Sequence, residues 1–275
     1  MPACVSPPAS RGPAAPTRAS LARDLRLLGV RRGGDLLVHA SLRNLGRPEG
    51  GPAAVLAALG DVLGPDGTVV VYTATPDNSD TSRVHLRRVR GMSEGERERH
   101  LRSMPAFDPA RTPSSGMGAL AEHVRTSPGA RRSEHPQSSF AALGPRALHY
   151  VDGHAPDCHL GESSPLAKLY KAEAHILLLG VGYDSCTALH LAEYRYTPDP
   201  PMRRYRCVVE RDGGPAWWSY EDVVLDDGDF PEVGAGLDRL PWVRRGRVGH
   251  ADTRLIPVDR AVDFAVAWFA ARRTR

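Results

Sequence analysis

ILLLGVGYDSCTALHLAEYRY, residues 176–196, combines a strand, a glycine turn and the start of a helix. The apolar residues 176–179 carry no charge, as expected of a buried strand. Gly180 and Gly182 allow backbone geometry that other residues resist, which indicates a turn after the strand. A helix is predicted to follow, and its candidate caps are Asp184, Ser185 or Thr187.

His190 and Glu193 lie three residues apart in this predicted helix, so their side chains share one face. An ionisable pair just beyond the C-terminal end of a strand lies where open α/β sheets build their sites, which indicates a general base. Cys186 precedes His190 by four residues, and we interpret it as structural rather than as a nucleophile. The His-x-x-Glu spacing also occurs in di-metal bundles, but those need glutamates from further facing helices, so no metal is predicted.

The 275-residue chain is long enough for one large domain, or for one domain with a subdomain. The net charge is +4 and the basic residues are scattered among 32 acidic ones, so nucleic-acid binding is not expected. No apolar run is long enough for a bilayer and the N-terminus lacks the apolar core of a secretory signal, so we expect a cytoplasmic protein without membrane contact. Four cysteines without a CxxC spacing indicate neither a zinc knuckle nor disulfides.

Residues 1–18 are rich in Pro, Ala and Ser and are predicted to form a disordered tail, followed by a single domain over 19–275. The domain opens with a helix capped by Ser20, a strand at 35–39, a helix at 52–63 and a strand at 68–73. This alternation predicts a parallel sheet with helices on its faces. Residues from about 76 to 113 break the alternation and are predicted to be an insertion that carries substrate contacts.

Four more helices are predicted, at 93–103 within the insertion and at 118–125, 163–170 and 258–272. Strands at 204–210 and 216–220, separated by a glycine turn, predict a hairpin. The predicted fold class is therefore α/β: a mostly parallel sheet flanked by helices, with an inserted helical subdomain and a C-terminal antiparallel region.

Six segments occur in order along the chain: LLVHASLRNLG (36–46), ALGDVLGPDGTVVV (58–71), FDPARTPSSGMGALAE (107–122), RRSEHPQSSFAALG (131–144), GESSPLAKLY (161–170) and LLLGVGYDSCTALHLAEY (177–194). Together they resemble the aminoglycoside 3-N-acetyltransferases, an antibiotic acetyltransferase family that differs in fold from the GNAT enzymes. The resemblance implies transfer of an acetyl group from acetyl-CoA, as cosubstrate, to the 3-amino group of the 2-deoxystreptamine ring, which confers antibiotic resistance.

His190 matches the histidine of the family's T-x-L-H-x-A-E motif, and the resemblance assigns it as the general base. An aminoglycoside amine is mostly protonated at neutral pH and must lose a proton before it attacks a thioester. A histidine base needs a carboxylate to fix its tautomer. Asp222 resembles an acidic position that pairs with the histidine in some members, and it is favoured for this role. Glu193 is the local alternative, and it could instead bind a substrate amine.

The resemblance also places a CoA site in the turn after the first strand, at Ser41, Leu42 and Arg43. A second CoA segment precedes the helix at 118–125, and its candidate contacts are Ser114, Ser115, Gly116 and Met117. GxSxG is absent, so serine-hydrolase chemistry is not expected. Arg132 is interpreted either as a clamp on a CoA phosphate or as part of a structural ion pair. His39 is interpreted as a buried strand-end residue and His135 as structural or near CoA. Either His154 or His159 is expected near CoA.

The acceptor side of the site should be acidic, because the substrate is a polycation. Its candidate residues are Tyr72, Asp77, Asp80, Glu193 and Glu221, with the loop at 226–229. Two alternatives stay open: acylation of another small amine or an aminophosphonate, and binding of CoA or antibiotic without catalysis. The sequence also leaves the oligomeric state open, a homodimer included.

Overall fold

A seven-stranded sheet forms the centre of the protein in a computed structural model, which describes residues 14–273. The strands, with those of a separate hairpin (β6 and β7), are β1 (Asp35–Ala40), β2 (Thr68–Tyr72), β3 (Arg131–Arg132), β4 (Phe140–Leu143), β5 (His175–Leu179), β6 (Met202–Arg211), β7 (Gly214–Val223), β8 (Arg244–Val248) and β9 (Ala251–Pro257). The seven strands of the central sheet, which are all of these except β6 and β7, lie in the order β3-β4-β2-β1-β5-β9-β8.

The sheet has a parallel centre and antiparallel edges. β1 pairs in parallel with both β2 and β5, whereas β4 and β9 run antiparallel to their neighbours. β3 and β8 reverse again, so β1, β2, β3, β5 and β8 all run in one direction. The predicted α/β class with a mostly parallel sheet is confirmed. The edge strands were not predicted, because β3 has only two residues and β8 reads RRGRV, without apolar alternation.

The helices within the described residues are α1 (Arg18–Leu28), α2 (Gly51–Leu63), α3 (Arg83–Arg88), α4 (Glu94–Arg102), α5 (Ala119–Thr126), α6 (Ala147–Val151), α7 (Pro165–Lys171), α8 (His190–Glu193), α9 (Phe230–Leu237) and α10 (Val258–Arg272). None of these helices is long and apolar enough to cross a membrane.

Strand alternation divides the core between the two faces of the sheet. On β5, Leu177 and Leu179 point into a cluster with α1, α2 and α5, whereas Ile176 and Leu178 point into a cluster with α7 and α10. All four side chains are almost fully buried. Successive residues of a strand face opposite sides, so a central strand covered on both faces has to be apolar at every position.

Two local predictions need correction. α1 begins at Arg18 and is capped by Thr17, whose hydroxyl accepts a hydrogen bond from Ser20 N, so Ser20 is inside the helix and not its cap. The predicted tail at 1–18 overlaps this start, and its residues 1–13 lie outside those described. The helix predicted after β5 is instead two 3₁₀ turns, at Tyr183–Ser185 and Thr187–Leu189, followed by the short α8.

The insertion at 76–113 contains a 3₁₀ turn (Pro76–Asn78), α3 and α4, and it packs against the β6–β7 hairpin. Phe107 forms a bridge to Val209 of β6. Asn78 Nδ2 donates to Val208 O at 3.3 Å, and Ser79 Oγ donates to Arg206 O at 2.7 Å. These contacts hold the insertion against the hairpin.

Candidate active site

A cleft of about 660 Å³ opens at the C-terminal ends of β1, β2 and β5, the three neighbouring strands that pair in parallel. Its walls are the end of β1 and the turn after it, Tyr72 at the end of β2, the start of α5, the turns after β5, and Asp227. The predicted residues that line it are Ser41, Leu42, Arg43, Tyr72, Gly116, Met117 and His190. This is the edge where open α/β sheets bind their ligands.

His190 and Glu193 form a hydrogen-bonded pair on the wall of this cleft. His190 Nδ1 lies 2.6 Å from Glu193 Oε2, and the ring packs against Phe230 with centroids 4.7 Å apart. A carboxylate only accepts hydrogen bonds, so Nδ1 carries the proton and Nε2 of the neutral ring is free to accept one. Glu193 is fully buried, and its other oxygen accepts from Asp226 N at 2.9 Å and Arg273 Nη1 at 2.6 Å. Both oxygens of Glu193 are thus engaged within the protein, and its contact with a substrate amine stays a prediction.

Asp222 does not pair with His190, so this prediction is wrong. Asp222 Oδ2 accepts hydrogen bonds from His159 N and the Tyr194 hydroxyl, each at 2.7 Å, and lies 2.9 Å from His159 Nδ1. Burial alone would raise the pKa of the Asp222 carboxyl, but the hydrogen bonds from His159 and Tyr194 lower it below its ordinary value. Asp222 thus belongs to a buried network, and Glu193 is the carboxylate that holds the tautomer of His190.

His135, His154 and His159 form a buried cluster behind the cleft. The His135 ring lies 4.8 Å, between centroids, from each of the other two. His154 is held by Ser133 Oγ at Nδ1 and by the Cys158 and His159 carbonyls at Nε2. None of the three lines the cleft, and the expected place of His154 or His159 near CoA stays a prediction. Burial lowers the pKa of His154 to about 4, which keeps its ring neutral.

Two glycines bring the segment before α5 close to the end of β1. Gly116 and Gly118 have φ of +77° and +83°, which side-chain-bearing residues rarely adopt. A Cβ atom on Gly118 would lie 3.3 Å from Ala40 O. Ser41 N donates to Leu179 O at 2.9 Å, and this bond ties the turn after β1 to β5. The two predicted CoA segments therefore lie side by side in the lining of one cleft.

Three of the predicted CoA contacts form hydrogen bonds to other parts of the protein. Ser114 donates through N and Oγ to Glu122 Oε2, at 2.9 and 2.8 Å, and Ser115 N donates to Ala74 O at 3.0 Å. The Arg132 guanidinium donates to Ser139 Oγ and to the carbonyls of Thr73, Pro109 and Thr112, and it lies 5.1 Å from the centroid of the Phe107 ring. Neither serine lines the cleft and the Arg132 donors are occupied within the protein, so CoA binding by these three residues stays a prediction without support from the cleft.

The acidic wall of the cleft differs from the predicted one. Asp77 lies 3.9 Å from Arg88, Asp80 lies 3.2 Å from Arg206, and Glu221 is exposed on β7. None of these three lines the cleft. The acidic residues that do line it are Asp184, predicted only as a cap, and Asp227, which belongs to the predicted acidic loop. Tyr72 does line the cleft, and its hydroxyl donates to Ser138 Oγ at 3.2 Å.

The family model for aminoglycoside 3-N-acetyltransferases matches residues 37–270. The chain belongs to this family. Among its curated relatives is the aminoglycoside N(3')-acetyltransferase-like protein YokD of Bacillus subtilis, 37% identical over 92% of this chain and 92% of its own. Another is aminoglycoside N(3)-acetyltransferase III of Pseudomonas aeruginosa, 35% identical over 93% of this chain and 94% of its own.

Solved acetyltransferase structures share the whole fold. The crystal structure of YokD has a TM-score of 0.88 at 35% identity, and covers 95% of this chain and 96% of that one. AAC-IIIb, solved as a binary complex with CoASH, has a TM-score of 0.80 at 32% identity, with 94% and 98% covered. AAC-VIa with bound sisomicin has a TM-score of 0.79 at 30% identity, with 94% and 99% covered.

Two further groups near the cleft bear on the family's chemistry. Cys186 is 1% exposed, and burial raises the pKa of its thiol to about 12, so it is not a thiolate at neutral pH. His39 lines the cleft, but its Nε2 is shielded and unpaired, and burial lowers its pKa to about 4. Within residues 14–273, no three His, Cys, Asp or Glu side chains are grouped to hold a metal ion.

Proposed function

We propose that this protein transfers the acetyl group of acetyl-CoA to the 3-amino group of the 2-deoxystreptamine ring of an aminoglycoside, and thereby confers resistance. The observation that carries the proposal is the His190–Glu193 pair, 2.6 Å apart on the wall of the one cleft that both predicted CoA segments line. Membership of the family supports it, as do relatives named for this activity. The reaction uses acetyl-CoA, a cytoplasmic metabolite, so we place the protein in the cytoplasm.

In the proposed mechanism His190 Nε2 takes a proton from the acceptor amine. The freed lone pair attacks the thioester carbonyl and the C–S bond breaks. The new amide nitrogen then loses a second proton to solvent, and the proton held by His190 passes to the CoA thiolate. Nδ1–H stays bonded to Glu193, whose charge stabilises the imidazolium while it exists. Holding both substrates in one cleft makes the attack effectively intramolecular. The buried, protonated Cys186 gives no support to a route through an acyl-enzyme.

The two walls of the cleft suit the two substrates. The turn at Ser41–Arg43 and the glycine-rich segment at 116–118 offer backbone and side-chain donors for pantetheine and phosphate, and Arg43 is exposed. Asp184 and Asp227 offer carboxylates to the amines of the acceptor. We assign CoA to the first wall and the aminoglycoside to the second. A homodimer stays a prediction, which light scattering on the purified protein tests.

The first test is release of free thiol from acetyl-CoA, with gentamicin, kanamycin and neomycin as acceptors. His190→Ala and Glu193→Gln are run beside His149→Ala, a matched control because His149 is exposed on α6. We expect drug-dependent release by the wild type and the control, and a large loss in both site variants. Release that survives in His190→Ala would exclude the base assignment. No release with any of the drugs would remove the aminoglycoside from the proposal.

One observation favours a second acceptor class, a small amine that carries less positive charge. Arg83 Nη1 lies 2.5 Å from Asp227 Oδ1. One of the two acidic groups that line the cleft is therefore already in an ion pair with an arginine of the protein. Simple primary amines and aminophosphonates in the same thiol assay would identify this alternative. Turnover of such amines, with none for the three drugs, would establish it.

A further inference from the structure

Arg273, the residue after α10, reaches back to the acid of the proposed base. Its Nη1 donates to Glu193 Oε1 at 2.6 Å, and its Nε and Nη2 form a bidentate pair with Asp229 at 2.8 and 2.7 Å. Nη2 also donates to Asp226 O at 2.7 Å, and the guanidinium lies 3.7 Å from the centroid of the Phe269 ring. The side chain is 18% exposed, and these contacts hold its guanidinium in place.

Glu193 therefore stands between an imidazole and a guanidinium. Oε2 faces His190 Nδ1 and Oε1 faces Arg273 Nη1, both at 2.6 Å. A carboxylate with no exposed surface is stable as an anion only when it is paired and hydrogen-bonded. Arg273 supplies the pairing charge and fixes the rotation of the carboxylate, since each oxygen has its own partner.

We infer that Arg273 is a positioning residue for acetyl transfer, which orients Glu193 and limits the negative charge that His190 senses. A carboxylate beside an imidazole favours the protonated ring, which cannot accept a proton from the substrate. A cation on the far side of the same carboxylate opposes this effect. Arg273 thus offsets part of the carboxylate charge while the orienting hydrogen bond to His190 stays in place. The kinetic part of this inference rests on the proposed function.

Other titratable or charged groups face the pair from several elements. They are Arg83 on α3, His159 before α7, Tyr205 on β6, and Asp226, Asp227 and Asp229 before α9. Arg83 is paired with Asp227, and Asp229 with Arg273. Burial alone would lower the pKa of Arg273, but hydrogen bonds to Asp229 and Glu193 raise it above its ordinary value, so it is charged throughout the working range.

The test compares Arg273→Met and Arg273→Lys with Arg272→Met. Arg272 is the matched control, because it is exposed on α10 and contacts Trp268, 4.8 Å from the ring centroid. Titration of the His190 ring by NMR, without substrates, is followed by kcat/KM against pH. For Arg273→Met we expect the His190 titration and the acid limb of the profile to move up by roughly one pH unit. Arg273→Lys keeps the positive charge and should return the titration most of the way to that of the wild type, and Arg272→Met should match the wild type.

An unshifted His190 titration in a folded Arg273→Met protein would overturn the inference, because a merely structural role changes the amount of active enzyme and not the titration. Asp229→Asn gives a test of opposite sign if Arg273→Met does not fold. This variant removes the negative charge that is paired with Arg273, so the positive charge of Arg273 acts more strongly on His190. The titration of His190 should therefore move to lower pH. An NMR shift without acetyl transfer by any of the proteins would refute the proposed function alone.

Discussion

His190 Nδ1 lies 2.6 Å from Glu193 Oε2, and the second oxygen of Glu193 faces Arg273, away from the imidazole. This arrangement assigns the tautomer of the histidine without any contribution from Asp222. Of the two roles predicted for Glu193, this arrangement supports orientation of the base, since both carboxylate oxygens have partners in the protein. The predictions below follow from this relationship and from the surroundings of the cleft.

Glu193→Gln should lower kcat by about 10²-fold, because the imidazolium loses the negative charge that stabilises it. The neutral amide can still accept from Nδ1, so KM for acetyl-CoA should change little. Steady-state kinetics beside Glu232→Gln, an exposed site on α9, measures both constants. A kcat equal to that of the control variant would mean that Glu193 does not assist the base.

Arg83→Gln should lower KM for a polycationic aminoglycoside by about threefold or more, because it frees the carboxylate of Asp227 for a substrate amine. Burial alone would raise the pKa of Asp227 and the contact with Arg83 lowers it, so this pKa should rise in the variant, and KM is measured above neutral pH to keep the carboxylate ionised. Arg87→Gln is the matched control, since Arg87 is exposed on the same helix. An unchanged or higher KM would place the acceptor away from Asp227.

Cys186→Ser should keep most of the wild-type kcat, since the native thiol is protonated at neutral pH and is buried away from solvent. A new polar group in a buried site should instead cost about 1–3 kcal/mol of the free energy of unfolding. The thiol-release assay and denaturant unfolding measure the two effects separately. Collapse of kcat in a folded variant, with an acetylated cysteine in the wild type detected by mass spectrometry, would replace direct attack by a covalent route.

The protein should lose stability as the pH falls from about 6.5, because the histidine cluster is neutral when folded and takes up protons only when the chain unfolds. Burial lowers the pKa of His154 from 6.5 to about 4 and lowers those of His135 and His159. In this range the unfolded state binds more protons, so the free energy of unfolding rises with pH. His154 alone should contribute about 2 kcal/mol between about pH 6.5 and pH 5.

Denaturant unfolding at several pH values checks this, with His154→Gln as the variant and the exposed His149→Gln as the control. The variant should show a smaller dependence on pH, whatever its stability near neutral pH. A slope equal to that of the control would mean that His154 is protonated in the folded protein.

The parts of the fold that could be predicted are those with a strong local pattern. The unbroken apolar run of β5 and the spacing of His190 and Glu193 are both legible in the sequence, and the structure pairs the two side chains. The resemblance led to Asp222 as the acid, but the side chain of Asp222 bonds His159 and Tyr194. The buried partner of a side chain on a hairpin strand depends on tertiary packing, and the local sequence carries no signal for it.

The same limit explains the residues that sequence reasoning missed. Arg273 is one arginine among many, and only the packing of α10 brings it to Glu193. Arg132 looked like a phosphate clamp because it lies in a family segment, yet the fold surrounds it with backbone carbonyls. Asp227 was not missed, because the acidic loop at 226–229 was predicted to face the acceptor and the structure places one of its carboxylates in the cleft.

The measurement that tests the central claim most directly is the structure of the product. Purified protein, acetyl-CoA and an aminoglycoside with a 2-deoxystreptamine ring are incubated with wild type and with His190→Ala, and the product is assigned by two-dimensional NMR. We predict an acetyl group on the 3-amino nitrogen in the wild-type reaction and almost no product with the variant. Acetylation at another amine, or an equal yield from His190→Ala, would contradict the account.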